Sequence, residues 1–349
     1  MRRPGVWLGS LVGLVTLLAP LVLSRSNLTV YILLGTAAMA TIGVSLLMGY
    51  AGQVSLGQAA FYAIGSYTAA LIALHGGSTV LGLVCAPVVA GLLAAVVGVP
   101  ILRLRGHYLA FATLAFHLIL LAVVGQVAFF GGDIGLQGIP PLGIAGHQLV
   151  ASRSYAWLTW AGVALCLLVT RNIIASRPGR AMRALSTSEI AAESSGVPVT
   201  RYKLTVFALS AGFAGLAGGV YAFFLGYIAP GSFPVLLSFQ FVVMAVVGGL
   251  GTIWGPVLGA GVITILVQVL NDLGTRPGMP THAAAVFSYA VYALLLVLVL
   301  LFLPRGLLPA TADLIGRFRR GDSAAGPPGG VPGRGHDVPP RSRAPAPDH

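Results

Sequence analysis

The chain has 349 residues, 57% of them apolar and 8% charged, against about 45–50% and 25% in soluble domains. So few charges cannot coat a soluble particle of this length, and the mean hydropathy is +0.92. A soluble enzyme, a nucleic-acid reader, a disordered protein and a disulfide-stapled secreted domain are excluded, which leaves a polytopic membrane protein. The net charge of +12 is loop charge of the kind that orients membrane spans. Cys85 and Cys166 lie inside apolar runs without metal or disulfide spacing and read as packing residues.

A helix needs about 20 apolar residues to cross the hydrocarbon core. Segments of this kind lie at about 5–23, 28–48, 58–74, 80–102, 108–130, 155–171, 204–225, 235–250, 253–270 and 283–303. The expected fold is therefore all-α, with about ten transmembrane helices. The third, eighth and ninth segments are short or Gly-rich and are candidates for tilted, broken or re-entrant helices. Arg2 and Arg3 precede the first run as in a signal peptide, but the run ends Leu23-Ser24-Arg25 without a small-residue cleavage site, so a retained span is expected.

Ten alternating spans with both termini in the cytoplasm put Arg2, Arg3, Arg103, Arg105, Arg171, Arg177, Arg180, Arg183, Arg201, Lys203, Arg305, Arg317, Arg319 and Arg320 inside. Only Arg25, Arg153 and Arg276 fall outside, as the positive-inside rule demands. On this reading residues 1–303 form the polytopic transmembrane domain, with a polar cytoplasmic loop at 172–203. Residues 304–349 form a Pro/Gly/Arg-rich cytoplasmic tail that cannot build a core.

Three features carry the functional reading. The segment Gly49–Phe61 places three glycines and two glutamines at a span entrance, and Ser55, Gln58, Tyr62 and Ser66 recur at helical spacing. That polar stripe is either one wall of a solute path or glue between helices. Gly215-x-x-x-Gly219 and Gly251-x-x-x-Gly255-x-x-x-Gly259 read as close helix packing. The loop 172–203 is amphipathic, with a short helix, a turn at Gly196 and then Pro198. It suits either docking of a soluble partner or rest on anionic lipid. His117, one turn beyond Thr113 in the fifth span, is either functional or a neutral hydrogen-bonded histidine.

Absent motifs narrow the chemistry. The only lysine, Lys203, follows no Gly-rich loop, so ATP cannot be held in a Walker A cradle. There is no zinc-protease, nucleophile-elbow or dinucleotide motif. The apolar spans carry no Asp or Glu to relay protons, which weighs against a proton-coupled carrier.

At these residues the sequence resembles a known family. GYAGQVSLGQAAFYAIGSYTAALIAL looks like the signature of branched-chain amino acid ABC transporter permeases of the LivM-like branch. LRLRGHYLAFATLAF, the segment 177–222, GGLGTIWGPVLGA and LPRGLL follow in the family's order, so the resemblance covers about residues 28–310. It implies a non-enzymatic, cofactor-free importer subunit of the bacterial plasma (inner) membrane. Its partners would be a second homologous permease, two ABC ATPases and an extracytoplasmic solute-binding protein. Gly52, Gln53, Ser55, Gly57, Gln58, Tyr62, Ser66 and His117 are then expected near the solute pathway. Arg180, Arg183, Glu189, Ala191, Ala192, Glu193 and Gly196 are expected at the ATPase coupling surface. Against the importer pattern E-A-A-x-x-x-G, aligned on Gly196, Ile190 replaces the acidic residue and Glu189 and Glu193 flank it. Urea, short amides or other amino acids are alternative solutes. A stand-alone secondary carrier, a membrane enzyme and a structural scaffold are alternatives of other classes.

Overall fold

The computed structural model describes residues 20–274, except 22, 105, 145, 146 and 150. All but the last few residues of the expected span at 5–23, the whole of 283–303 and the tail at 304–349 lie outside these residues. The described helices are α1 (Arg25–Ser45), α2 (Gln58–Leu74), α3 (Thr79–Ile101), α4 (His107–Gln126), α5 (Ser152–Ala175), α6 (Arg177–Thr187), α7 (Glu189–Ser194), α8 (Val199–Leu225), α9 (Val235–Gly248) and α10 (Gly255–Gly274). Six of the helical stretches are long and apolar enough to cross a membrane, and Gln58–Leu74 and Gly255–Leu270 are shorter apolar helices. The protein is thus an all-α, multi-pass membrane protein.

The long helix α8 organises the bundle and packs against α1, α2, α3 and α5. Small residues make this possible. On α3, Gly82, Ala86, Ala90, Ala94 and Gly98 recur every four residues and are buried, while Leu81, Val84, Val88, Leu92 and Val96 are exposed. The large apolar side chains therefore face outward and the small ones face the neighbouring helix, the reverse of a soluble helix and the arrangement lipid favours. At Gly65 of α2 a Cβ atom would coincide with the main chain of Gly215 on α8. The Gly251-x-x-x-Gly255-x-x-x-Gly259 pattern works likewise, since Gly255 and Gly259 lie against Gly248 and the Met244 carbonyl of α9.

The ends of the helices sort by charge. Gly98 lies against Leu204 and Phe207, and Gly82 against Phe223, so α3 and α8 are antiparallel. The α3–α4 turn, with Arg103, therefore shares one end with the α5–α8 connection, with Arg177, Arg180 and Arg183, and with Arg201 in the first turn of α8. At the opposite end the α4–α5 connection is clasped to the bundle. Strand β1 (Leu136–Gln137) pairs antiparallel with β4 (Tyr227–Ile228), and β2 (Gly143–Ile144) pairs with β3 (His147–Gln148).

Several boundaries differ from the hydropathy reading. The fifth span stops at Gln126 and passes into a 3-10 turn, Ala128–Phe130. The sixth extends to Ala175 and α8 begins at Val199, so the polar loop expected at 172–203 contracts to residues 176–198 and is itself helical. Its amphipathic pattern accounts for this, with Met182 and Leu185 buried and Arg180 and Arg183 exposed.

Candidate functional site

The signature segment contains a break in the bundle. After α1 the chain makes a π-helical turn, Leu46–Tyr50, and the Tyr50 hydroxyl donates to the Gly251 carbonyl at 2.6 Å. Gly52, with φ of +66°, lies beside Ser186 of α6. The chain then runs non-helically to Gly57, and α2 starts level with Ala40 and Ser210. Ten residues of helix separate Ala40 from Tyr50, so α2 begins about 15 Å inside the basic end. Non-helical backbone at that depth is tolerated where protein encloses it; Gln53, Ser55 and Gly57 are buried, whereas Gly52 and Val54 are exposed.

The amide groups at the start of α2 are met one by one. Leu56 N donates to Thr113 Oγ1 at 2.9 Å, Gly57 N to Ser55 Oγ at 3.4 Å and Ala59 N to Ser238 Oγ at 3.0 Å. Ser238 lies 3.3 Å from His117 Nδ1, and His117 Nε2 lies 3.1 Å from the Phe233 carbonyl. A carbonyl only accepts, so Nε2 carries the proton, and Nδ1 of the neutral ring accepts from the Ser238 hydroxyl. His117 is wholly buried and joins α2, α4 and α9, with both ring nitrogens engaged.

The expected polar stripe resolves into separate roles. Ser55 is not on the helix; it lies in the non-helical approach, so the spacing counted through it does not describe one face. Gln58 Nε2 donates to the carbonyls of Ala40 and Ser210, and Ser66 Oγ donates to the Gly218 carbonyl at 2.9 Å. Both side chains therefore bridge α2 to neighbouring helices. Gln53 is buried at 3% exposure, and among the described residues neither side-chain atom has a hydrogen-bond partner.

Tyr62 alone of the expected pathway residues borders the cavity. This space, about 310 Å³, lies between α1, α9 and α10 and is closed on one side by Tyr62 and Tyr221. Its walls include Val30, Leu33, Leu237, Phe241, Met244 and Val267, with Thr36, Ser232, Gln240, Thr264 and Gln268 as polar groups. Tyr62, Tyr221, Phe233 and Phe241 form an aromatic cluster, with the two tyrosine rings 5.4 Å apart. No described lining residue is charged. Such a space, apolar with few polar groups, suits a small neutral or zwitterionic solute. Among the described residues no cluster of His, Cys, Asp or Glu could hold a metal.

No pattern in the sequence points to this cavity. Thr36, Gln240, Phe241 and Met244 are single residues in apolar helices, and only three-dimensional packing brings them together.

At the basic end the α6–α7 module is built tightly against the bundle. Ser176 Oγ donates to Ile173 O at 2.6 Å and Arg183 Nη2 to Ile174 O at 3.0 Å, which satisfies the last carbonyls of α5. The Ser188 side chain caps α7 by accepting from Ala191 N. Gly196, at φ of +78°, ends α7, with Val197 N donating to Ala192 O. Ala192 is buried with Leu185 and Val199, whereas Arg180, Ala191, Glu193 and Gly196 are exposed. Glu189 forms an ion pair with Lys203 of α8.

Residues 26–300 match the family described as "Branched-chain amino acid transport system / permease component". The chain is 32% identical over 327 residues to the high-affinity branched-chain amino acid transport system permease protein LivM of Salmonella typhimurium, covering 84% of this chain and 72% of that one. It is 32% identical over 311 residues to LivM of Escherichia coli, covering 81% and 68%. To the Escherichia coli permease protein LivH it is 28% identical over 292 residues, covering 78% and 91%. No solved structure matches.

Proposed function

Because the chain belongs to the family of branched-chain amino acid transport permease components, we propose that it carries branched-chain amino acids inward through the bacterial plasma membrane as one half of an ABC importer. It is a transport subunit and not an enzyme. The observation that carries the reading is the family match across nearly every described helix. A second homologous permease completes the pathway, since two permease types, LivM and LivH, are both relatives of this chain. Two ATPases and an extracytoplasmic binding protein complete the importer.

The proposed arrangement has ten spans with both termini in the cytoplasm, residues 1–303 as the permease and 304–349 as a cytoplasmic tail. The gathering of Arg103, Arg177, Arg180, Arg183 and Arg201 at one end of the bundle supports it. Solute passes the cavity beside Tyr62 and Tyr221. Gly52, Gln53, Ser55, Gly57, Gln58, Ser66 and His117 act behind that wall, by fixing where α2 begins and how it meets α1, α8 and α9. Arg180, Arg183, Glu189, Ala191, Ala192, Glu193 and Gly196 build the coupling module. Alternating access needs two global states, biased by solute and by the ATPases. Contact between α6 and the π turn gives the module a direct mechanical path to the start of α2.

The test is to purify the tagged chain from mild detergent and identify what accompanies it. A second permease and P-loop ATPases are expected; a stable chain that purifies without them rejects the importer reading.

A further inference from the structure

Between the cavity and the end of the bundle opposite the arginines, the interior is filled by a column of aromatic rings. Phe129 is 59% exposed, and its ring centroid lies 5.3 Å from that of Phe130. Phe130 meets Tyr67 edge-on at 5.9 Å, Tyr67 meets Phe233 at 6.1 Å, and Phe233 meets both Tyr62 and Tyr221 at 5.9 Å. Tyr67 follows Tyr62 on α2, about 7.5 Å further from the basic end at a rise of about 1.5 Å per residue. The column thus runs from the surface to the wall of the cavity. Two of its members are more than packing. Phe233 is wholly buried but belongs to no α-helix; it lies between the 3-10 turn Pro230–Ser232 and α9, so it can turn aside without unwinding either neighbouring helix. Tyr67 is 4% exposed, and its hydroxyl has no hydrogen-bond partner among the described residues. A phenylalanine would fill the same space without burying an unsatisfied group.

From the column and its unpartnered hydroxyl we infer that Tyr67 is a solute contact on the way into the cavity, a reading that rests on the importer function proposed above. Solute reaches the cavity as Phe233 swings aside, and the Tyr67 hydroxyl donates to its carboxylate. The ligand class is a net-neutral amino acid. Its carboxylate accepts from the phenol in a charge-assisted bond, and its ammonium group passes over the faces of the neighbouring rings. None of the column's residues is charged, so no fixed charge holds the solute back. With the rings in contact, as here, the column is shut.

The experiment uses the whole complex in right-side-out membrane vesicles. For the route, Cys85 and Cys166 are replaced by alanine, and Thr36→Cys places a reporter in the cavity wall. A membrane-impermeant thiol reagent is added outside, without ATP. Phe233→Ala is expected to speed labelling of the reporter at least about fivefold, because the ring that closes the column is gone. If that variant does not assemble, Phe130→Ala, which removes the half-buried ring nearer the surface, is used and the same change is expected. For the contact, uptake by Tyr67→Phe is measured with ATP inside and saturating solute-loaded binding protein outside. Maximal uptake is expected to fall at least about threefold, the scale of one lost hydrogen bond. The amount of complex, its melting temperature and its ATPase activity without binding protein are expected to be undiminished. A merely structural hydroxyl would leave uptake at the wild-type rate. Equal labelling with and without the ring, or wild-type uptake by Tyr67→Phe, overturns the inference. If the wild-type complex shows no ATP-dependent uptake, the importer function itself is rejected, and the labelling rates still decide the route.

Discussion

Gln58 and Ser210 hold each other reciprocally: Gln58 Nε2 donates to the Ser210 main-chain carbonyl at 3.0 Å, and the Ser210 hydroxyl donates to Gln58 Oε1 at 3.3 Å. A third bond, from Gln58 Nε2 to the Ala40 carbonyl, makes this glutamine the point where α1, α2 and α8 are joined. Gln58→Leu is expected to lower the stability of the detergent-solubilised protein by about 1–2 kcal/mol, given interhelical hydrogen bonds worth about 0.6–1.7 kcal/mol each in membranes. Thermal unfolding measures it. An unchanged melting temperature with lost uptake would return Gln58 to the solute path.

Gly65 and Gly215 bring α2 and α8 into main-chain contact. Gly65→Val forces the two helices apart, because the new Cβ coincides with backbone and not with a movable side chain. Loss of assembled protein is expected, read as the yield of monodisperse material. Gly231→Ala is the control for helix-independent effects, since a Cβ there meets nothing and the backbone is not left-handed.

Gln53 carries a buried amide without hydrogen-bond partners among the described residues. An unsatisfied buried polar group costs about 1–3 kcal/mol, so Gln53→Leu should raise the melting temperature. If the amide finds its partner in the other access state, the same variant lowers turnover of the assembled importer. A lower melting temperature would mean that the amide is already satisfied.

The cavity predicts selectivity. Tyr62→Phe keeps the ring among Tyr221, Phe233 and Phe241 but removes the hydroxyl from the cavity wall. Loss of one hydrogen bond, about 0.5–1.5 kcal/mol, predicts a KM for uptake raised about two- to tenfold with assembly intact. Phe241→Ala enlarges the space and should admit bulkier solutes in competition assays. Wild-type KM and selectivity in both variants would place the pathway elsewhere.

Arg183 binds the end of α5 as well as its own helix, through Ile174 O and Gly179 O. Arg183→Glu is expected to leave the spans inserted but to lower solute-stimulated ATPase activity of the complex. Unchanged stimulation would remove this part of the module from coupling.

Hydropathy located the helices well where packing is uniform. The segment 58–74 is α2 to the residue, and 80–102 differs from α3 by one residue at each end. It failed where backbone geometry departs from the helix. Ser55 fits the helical period but precedes α2, because Thr113, Ser55 and Ser238 supply the amide partners that let the chain stay non-helical there. The module between α5 and α8 was legible because Gly196 and Pro198 punctuate an amphipathic run. The cavity was not, since Gln240 and Thr36 are isolated polar residues whose meeting depends on how α1, α9 and α10 pack. The two-residue strands β1 and β4 are too short for any alternation to show.

The central claim is tested most directly by reconstitution. The purified chain, its permease partner and their ATPases are placed in liposomes with the binding protein outside and ATP inside, and uptake of labelled leucine, isoleucine and valine is measured. The account predicts concentrative uptake that requires ATP, the ATPases and the binding protein together. Concentrative uptake by this chain alone, without ATPase subunits, would contradict it.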